Sequence, residues 1–211
     1  MSITKTLPVA GLLLAALTGP IAAEEFLIDG IHSEMIFSVA HQGYSQLYGW
    51  FREFGGEISF DPAAPEKTKV KVVVQSASID TNQSKRYPDG TASRDETLKG
   101  PGFFNVKEFP TMTFESTSVE KIDDKTGRLN GNLTLLGATK PVVFDVTFNK
   151  LAPSTTPTFK DILTMGFSLR GKIKRSEWGM KTFVPFIGDE VSLILEVEAW
   201  QKDQWHKFWG K

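Results

Sequence analysis

Apolar and polar residues alternate with a period of two along most of the chain after Glu24, and turn residues interrupt the alternation at short intervals. That pattern predicts an antiparallel all-β domain. Glu25 to Asp29 reads as a short first strand, and His32 to His41 as a second, with Met35, Phe37, Val39 and His41 on one face. The stretch from Ser45 to Asp61 is the most informative, because it reads as one long strand whose phase slips. Leu47, Gly49 and Phe51 alternate with Tyr48, Trp50 and Arg52, and then Phe54, Gly56, Ile58 and Phe60 take over one residue out of step. A one-residue slip in a period-two pattern marks a bulge. Gly49, Gly55 and Gly56 supply the freedom to bend that a sheet curling closed requires. The expectation is a barrel, with a two-sheet sandwich as the alternative.

The same alternation recurs in Val70, Val72 and Val74, in Met112 and Phe114, and in Leu129, Gly131, Leu133 and Leu135. It continues in Val142, Phe144, Val146 and Phe148, in Leu163, Met165, Phe167 and Leu169, and in Val191, Leu193, Leu195 and Val197. About eight strands result, the number whose closed barrel holds one small ligand. The polar, turn-rich region from Asn82 to Pro110 breaks the rhythm. Ser93 and Glu96 have capping-box spacing, which predicts a short helix with Leu98 pointing inward and Gly100-Pro101-Gly102 ending it. Phe103 and Phe104 follow, and two adjacent rings in a loop need a place to bury. The segment therefore reads as a lid over one barrel mouth.

Composition sharpens this picture. Of 211 residues, 40% are apolar and 23% charged, as expected for one soluble domain with a full core. Sixteen Phe and five Trp exceed what closure of such a domain needs, so part of that aromatic area is available to a cargo. There is no cysteine, so packing alone holds the fold. Lys5, the apolar run Val9 to Leu17, and Gly19, Pro20 and Ala22-Ala23 have the order of a secretory signal over residues 1–23; an uncleaved anchor is the alternative. Cleavage there leaves residues 24–200 as the domain and 201–211 as a tail. It also leaves 23 basic against 25 acidic side chains, with no basic stripe for nucleic acid.

With these blocks in view, the chain resembles the YceI-like family of periplasmic lipid-binding, or polyisoprenoid-binding, proteins. The resemblance rests on His32-Ser33 with Phe37-Ser38-Val39 and His41, on Gly49 through Asp61, and on Ser78-Ile79-Asp80-Thr81. It extends through Arg94-Asp95, Leu98, Phe103-Phe104, Phe109-Pro110 and Phe114, then Gly131 through Gly137, Thr139 through Val142, and Arg175 through Met180. What it implies is an extended, lipocalin-like antiparallel eight-stranded barrel with a short helix at one end. The implied apolar tunnel holds an isoprenoid or fatty-acyl chain, in the periplasm and with no other cofactor. Thr97, Gly102 and Leu136 differ from the residues usual in the family at those places.

Candidate lipid-facing residues are Phe37, Val39, Phe51, Phe54, Ile58, Phe60, Phe103, Phe104, Phe114, Leu133, Leu135, Phe144, Met165, Phe167 and Trp178. Each is equally readable as core. Arg94 and Asp95 are head-group candidates, set against a purely local role in fixing the lid. His32, His41 and His206 lack the companion ligands of a metal centre, and no nucleophile elbow is present, so no catalytic residue is assigned. The rival function classes are an enzyme using the lid's polar groups and an interaction module with a solid barrel. At the C-terminus, Trp205, Phe208 and Trp209 have helical spacing among lysines, which suits either transient contact with a membrane surface or packing on the barrel. A homodimer is left open.

Overall fold

In a computed structural model of the chain, residues 23–209 are described, with side chains to residue 205. The expected secretory segment, residues 1–22 of it, lies outside the described residues, as do the side chains of Phe208 and Trp209. The strands are β1 (Glu24–Ile28), β2 (Glu34–His41), β3 (Ser45–Phe51), β4 (Phe54–Phe60), β5 (Lys69–Gln75) and β6 (Ile79–Asp80). They continue as β7 (Thr111–Lys121), β8 (Thr126–Leu135), β9 (Ala138–Pro153), β10 (Leu163–Lys174) and β11 (Ile187–Gln201). Two α-helices accompany them among the described residues, α1 (Arg94–Lys99) and α2 (Lys202–Trp209).

The first six segments are three bent strands rather than six straight ones. β11 pairs with β1 through Ile28 and Ala199, and with β2 through Glu34 and Glu196. Between them Asp29 to Ser33 bulges outward, and the Ser33 hydroxyl repairs the ladder by donating to the Glu198 carbonyl (3.1 Å) and accepting from its N–H (2.9 Å). The predicted single strand from Ser45 is broken at Arg52 and Glu53 into β3, which pairs with β2, and β4, which pairs with β1. β5 and β6 follow the same corner. The bend keeps its hydrogen bonds: Arg52 N–H donates to Ser78 (3.2 Å) and Gln75 N–H donates to Glu53 (2.8 Å). The phase slip is located here, so side chains on both halves still face inward. Counted this way, eleven segments make eight antiparallel strands, each bonded to the next in sequence, and β11 closes on β1 and β2. Closure covers the edges of the ring, and β6, which pairs only with β3, is left at the α1 end with a strand on one side.

The two ends of the barrel differ. One end carries α1, the β8–β9 turn and the long connection from β10 to β11. α1 starts as expected: the Ser93 hydroxyl accepts from Glu96 N–H (3.1 Å) while the Glu96 carboxylate accepts from Ser93 N–H (2.9 Å). The opposite end carries the Pro62–Thr68 turn, the β7–β8 hairpin, the β9–β10 connection and α2. On the β1 side of that end, Phe26, Ile28, Ile58, Phe60, Met165 and Ala199 pack as a separate buried cluster.

Candidate functional site

Inward-facing residues of a closed barrel have two options: fill it or line it. Here they line it. A cavity of about 380 Å³ runs between the two ends, inside the range of ligand pockets. Strand side chains supply its wall, including Val72, Phe114, Phe144, Phe167 and Leu193, and Leu98, Phe103 and Phe104 form its roof at the α1 end.

The hollow survives the aromatic surplus because several rings lie flat over glycines of neighbouring strands. A Cβ on Gly49 would sit 2.3 Å from Phe37 Cζ, one on Gly131 2.3 Å from Phe114 Cζ, and one on Gly171 2.7 Å from Phe144 Cδ1. Those distances are far inside van der Waals contact, so each ring occupies the space a side chain would take. The rings thus coat the wall and leave the axis open. Phe114 and Phe144 then meet edge to face at 5.6 Å. Phe60, Phe148 and Phe167, with centroids 5.5–6.0 Å apart, cover the wall above the second cluster.

Of the residues expected to face a lipid, Phe37, Val39, Phe51, Phe54, Ile58, Phe60, Phe103, Phe104, Phe114, Leu133, Leu135, Phe144 and Phe167 all border the cavity. Met165 and Trp178 do not. Met165 points into the cluster beneath β1, and Trp178 is buried with its indole N–H donating to the Leu133 carbonyl at 3.2 Å.

Arg94 and Asp95 also lie off the cavity lining. Asp95 is buried, and its Oδ1 accepts from both the N–H (2.9 Å) and the hydroxyl (2.5 Å) of Thr81. The Arg94 backbone N–H donates to the Gln83 side-chain carbonyl, and its guanidinium reaches the Thr81 carbonyl at 3.4 Å. Both residues tie α1 to the end of β6. The contacts seen are therefore local, lid-fixing ones, and neither side chain is on the cavity wall.

Sequence reasoning missed Arg175. Buried beside the cavity, its guanidinium donates to the carbonyls of Gly188 (2.8 Å), Met180 (2.9 Å) and Ile187 (2.9 Å). Burial lowers its pKa, and Asp189 opposes the shift. It spans the β10–β11 connection like a clamp, with its fork matched to backbone oxygens. An arginine between Lys174 and Ser176 reads as one more surface charge, because sequence does not show burial.

The end with α1 is closed: Phe103, Arg175 and Met180 are buried there. The other end opens to solvent between the Pro62–Thr68 turn and the β7–β8 hairpin, where the cavity reaches Lys121, Asp123, Asp124 and Lys125. Each of these charges has a partner, and Lys125 lies over the Phe148 ring at 5.0 Å. Lys121 Nζ lies 2.8 Å from Asp124, which raises the lysine pKa and lowers that of the carboxylate. Asp123 is lowered by the Thr126 hydroxyl and the N–H groups of Lys125 and Thr126. Two cations face two anions, so the rim is polar without net charge.

At the C-terminus, the Trp205 ring packs against Trp200 at 5.8 Å. Lys202 bonds to Glu57 at 2.8 Å, so the first turn of α2 is docked on the barrel.

Known proteins share this architecture. A UPF0312 protein of Yersinia pestis is 40% identical over 204 residues, covering 94% of this chain and 98% of its own length. The crystal structure of a Campylobacter jejuni YCEI protein superposes with a TM-score of 0.65 at 34% identity, covering 77% of this chain and 90% of that one. A polyisoprenoid binding domain from Saccharophagus degradans has the same fold at 10% identity, with a TM-score of 0.60, 85% of this chain and 99% of that one. The YceI-like domain matches residues 26–199, and the chain belongs to the YceI-like family.

Proposed function

We propose that the protein binds one long apolar lipid inside the barrel, an isoprenoid such as a quinone or polyprenyl chain or else a fatty-acyl chain, without chemically altering it. Its work is transport, storage or sequestration of that lipid in the periplasm, a location supported by the signal-like order of residues 1–23. The observation that carries the reading is the cavity itself: a lumen that runs between the two barrel ends, walled by rings lying over glycines. Burial of about 20 carbons at ~0.8 kcal/mol each offers roughly 16 kcal/mol before ordering costs, so retention needs no polar constellation. The neutral rim suits this, since it neither demands nor repels a charged head. The Saccharophagus domain, a polyisoprenoid binder with the same fold, points the same way for its own barrel.

Native mass spectrometry of protein purified without detergent, followed by solvent extraction, tests it. The expected result is a bound mass that leaves with the solvent and is recovered as a lipid. Protein at its bare chain mass that also fails to take up a polyprenyl alcohol or a quinone from detergent refutes it.

A further inference from the structure

The connection between β10 and β11 leaves the barrel wall at Met180 and returns at Ile187, and both residues line the cavity. Between them Phe183, Val184 and Phe186 are 60%, 36% and 69% exposed, and Tyr44 in the β2–β3 turn is 88% exposed. The two turns are joined, because Gln42 N–H donates to the Phe186 carbonyl at 2.7 Å. Phe183 has a φ of 61°, a left-handed conformation that a bulky residue rarely adopts. The surrounding bonds nevertheless hold it there: its carbonyl accepts from Ile187 N–H at 2.8 Å. An unfavourable backbone that presents a large ring to water is a reason to look for what the ring meets.

We propose that this apolar tip, Tyr44 with Phe183, Val184 and Phe186, docks into a lipid bilayer and that cargo passes between bilayer and barrel beneath it. The proposal rests on the lipid-carrier reading above. A bilayer is favoured over a protein partner by continuity with the lumen. The Phe183 ring lies 6.1 Å from that of Phe103, which is buried and forms part of the cavity roof. The lid loop also rests on the tip, since a Cβ on Gly102 would lie 2.9 Å from the Thr182 hydroxyl oxygen. Apolar contact therefore runs from the exposed tip to the roof of the hollow, and the lid alone separates the two. A hydrocarbon chain leaving by the opposite, charged rim crosses water; one leaving through a tip seated below the head groups does not. Exposed Lys181 flanks the tip and suits anionic head groups. The docked Trp205 belongs to the other end of the barrel, so this surface is separate from the C-terminal tail.

The test compares the protein with a Phe183→Ser, Phe186→Ser double variant in co-sedimentation with vesicles of phosphatidylethanolamine and phosphatidylglycerol. Neither position lines the cavity. The expected result is binding weakened about a hundredfold or more in the variant, from two lost ring insertions, with unchanged uptake of a polyprenyl alcohol from detergent. The absence of cysteine allows a second measurement. A polarity-sensitive dye on Phe186→Cys is expected to shift to the blue on vesicle addition, and the same dye on Thr158→Cys at the opposite end is not. No vesicle binding by the unaltered protein, equal binding by both forms, or a shift at position 158 alone overturns the proposal. So does capture of a protein at the tip in the absence of any vesicle affinity. Vesicle binding that depends on the tip, in a protein that takes up no lipid, upholds the docking surface and refutes the carrier reading instead.

Discussion

Substitution of Gly131 by alanine tests whether the rings lying over glycines are what keep the lumen open. The new methyl group would start 2.3 Å from Phe114 Cζ and 2.7 Å from the Glu115 carbonyl oxygen. Contact at about 3.5–4.0 Å is the relaxed distance between carbons, so the ring has to move by more than an ångström, and its free direction is the cavity. The carbonyl belongs to the adjoining strand and yields less readily than a side chain. Overpacking of this kind costs about 1–3 kcal/mol, a fall of about 2–12 °C in Tm for a domain of this size. A ring displaced into the lumen also excludes one or two methylene groups of cargo, each worth ~0.8 kcal/mol, so affinity falls about 4- to 15-fold. Thermal unfolding monitored by circular dichroism gives the first quantity, and native mass spectrometry with a polyprenyl alcohol titrated from detergent gives the second. A variant that loses stability while holding lipid as tightly as before refutes the assignment of Phe114 to the cargo wall.

Asp95→Ala removes the acceptor of both Thr81 donors and leaves a buried N–H and hydroxyl without partners; a loss of about 2–4 kcal/mol in urea unfolding is expected, with lipid affinity unchanged once the protein is folded. Arg175→Lys cannot span the three carbonyls that the guanidinium holds, and a cost of about 3 kcal/mol is expected in the same assay, a loss of less than about 1 kcal/mol counting against the clamp. His32 donates to, or shares a proton with, buried Asp29 at 2.6 Å, and that bond raises its pKa above 6.5. Its folded form holds the proton more tightly than its unfolded form, so the contribution is fully present below the unfolded pKa and disappears as pH rises through the folded one. His32→Gln is therefore expected to lose more stability near pH 5 than near pH 9, and a difference independent of pH excludes a charged His32 as the source.

What was legible along the chain was whatever depends on near neighbours. The strands follow from a period of two, and α1 follows from Ser93 and Glu96 at capping-box spacing. The slip between Phe51 and Phe54 located the corner to within two residues, although it reads as a bulge in one strand where the sheet has a break. Less legible were residues whose role depends on a distant partner. Asp95 looks like an exposed lid charge until Thr81, fourteen positions away, takes up its carboxylate. Arg175 looks like an ordinary turn residue until Met180, Ile187 and Gly188 present their carbonyls to it. Met165 shares its phase with Phe167, yet faces a second cluster because β1 closes that end of the barrel.

An all-β chain of about eight strands, with a corner after Phe51 and a capped lid helix, was written into the order of the residues, because periodicity and capping act over a few positions. That the barrel is hollow was not, and emerged with the closed sheet. A ring lies over a glycine on the next strand only when register brings the two together, as it does for Phe37 with Gly49 and Phe144 with Gly171. Register belongs to the sheet as a whole, and so does the choice of which end stays shut.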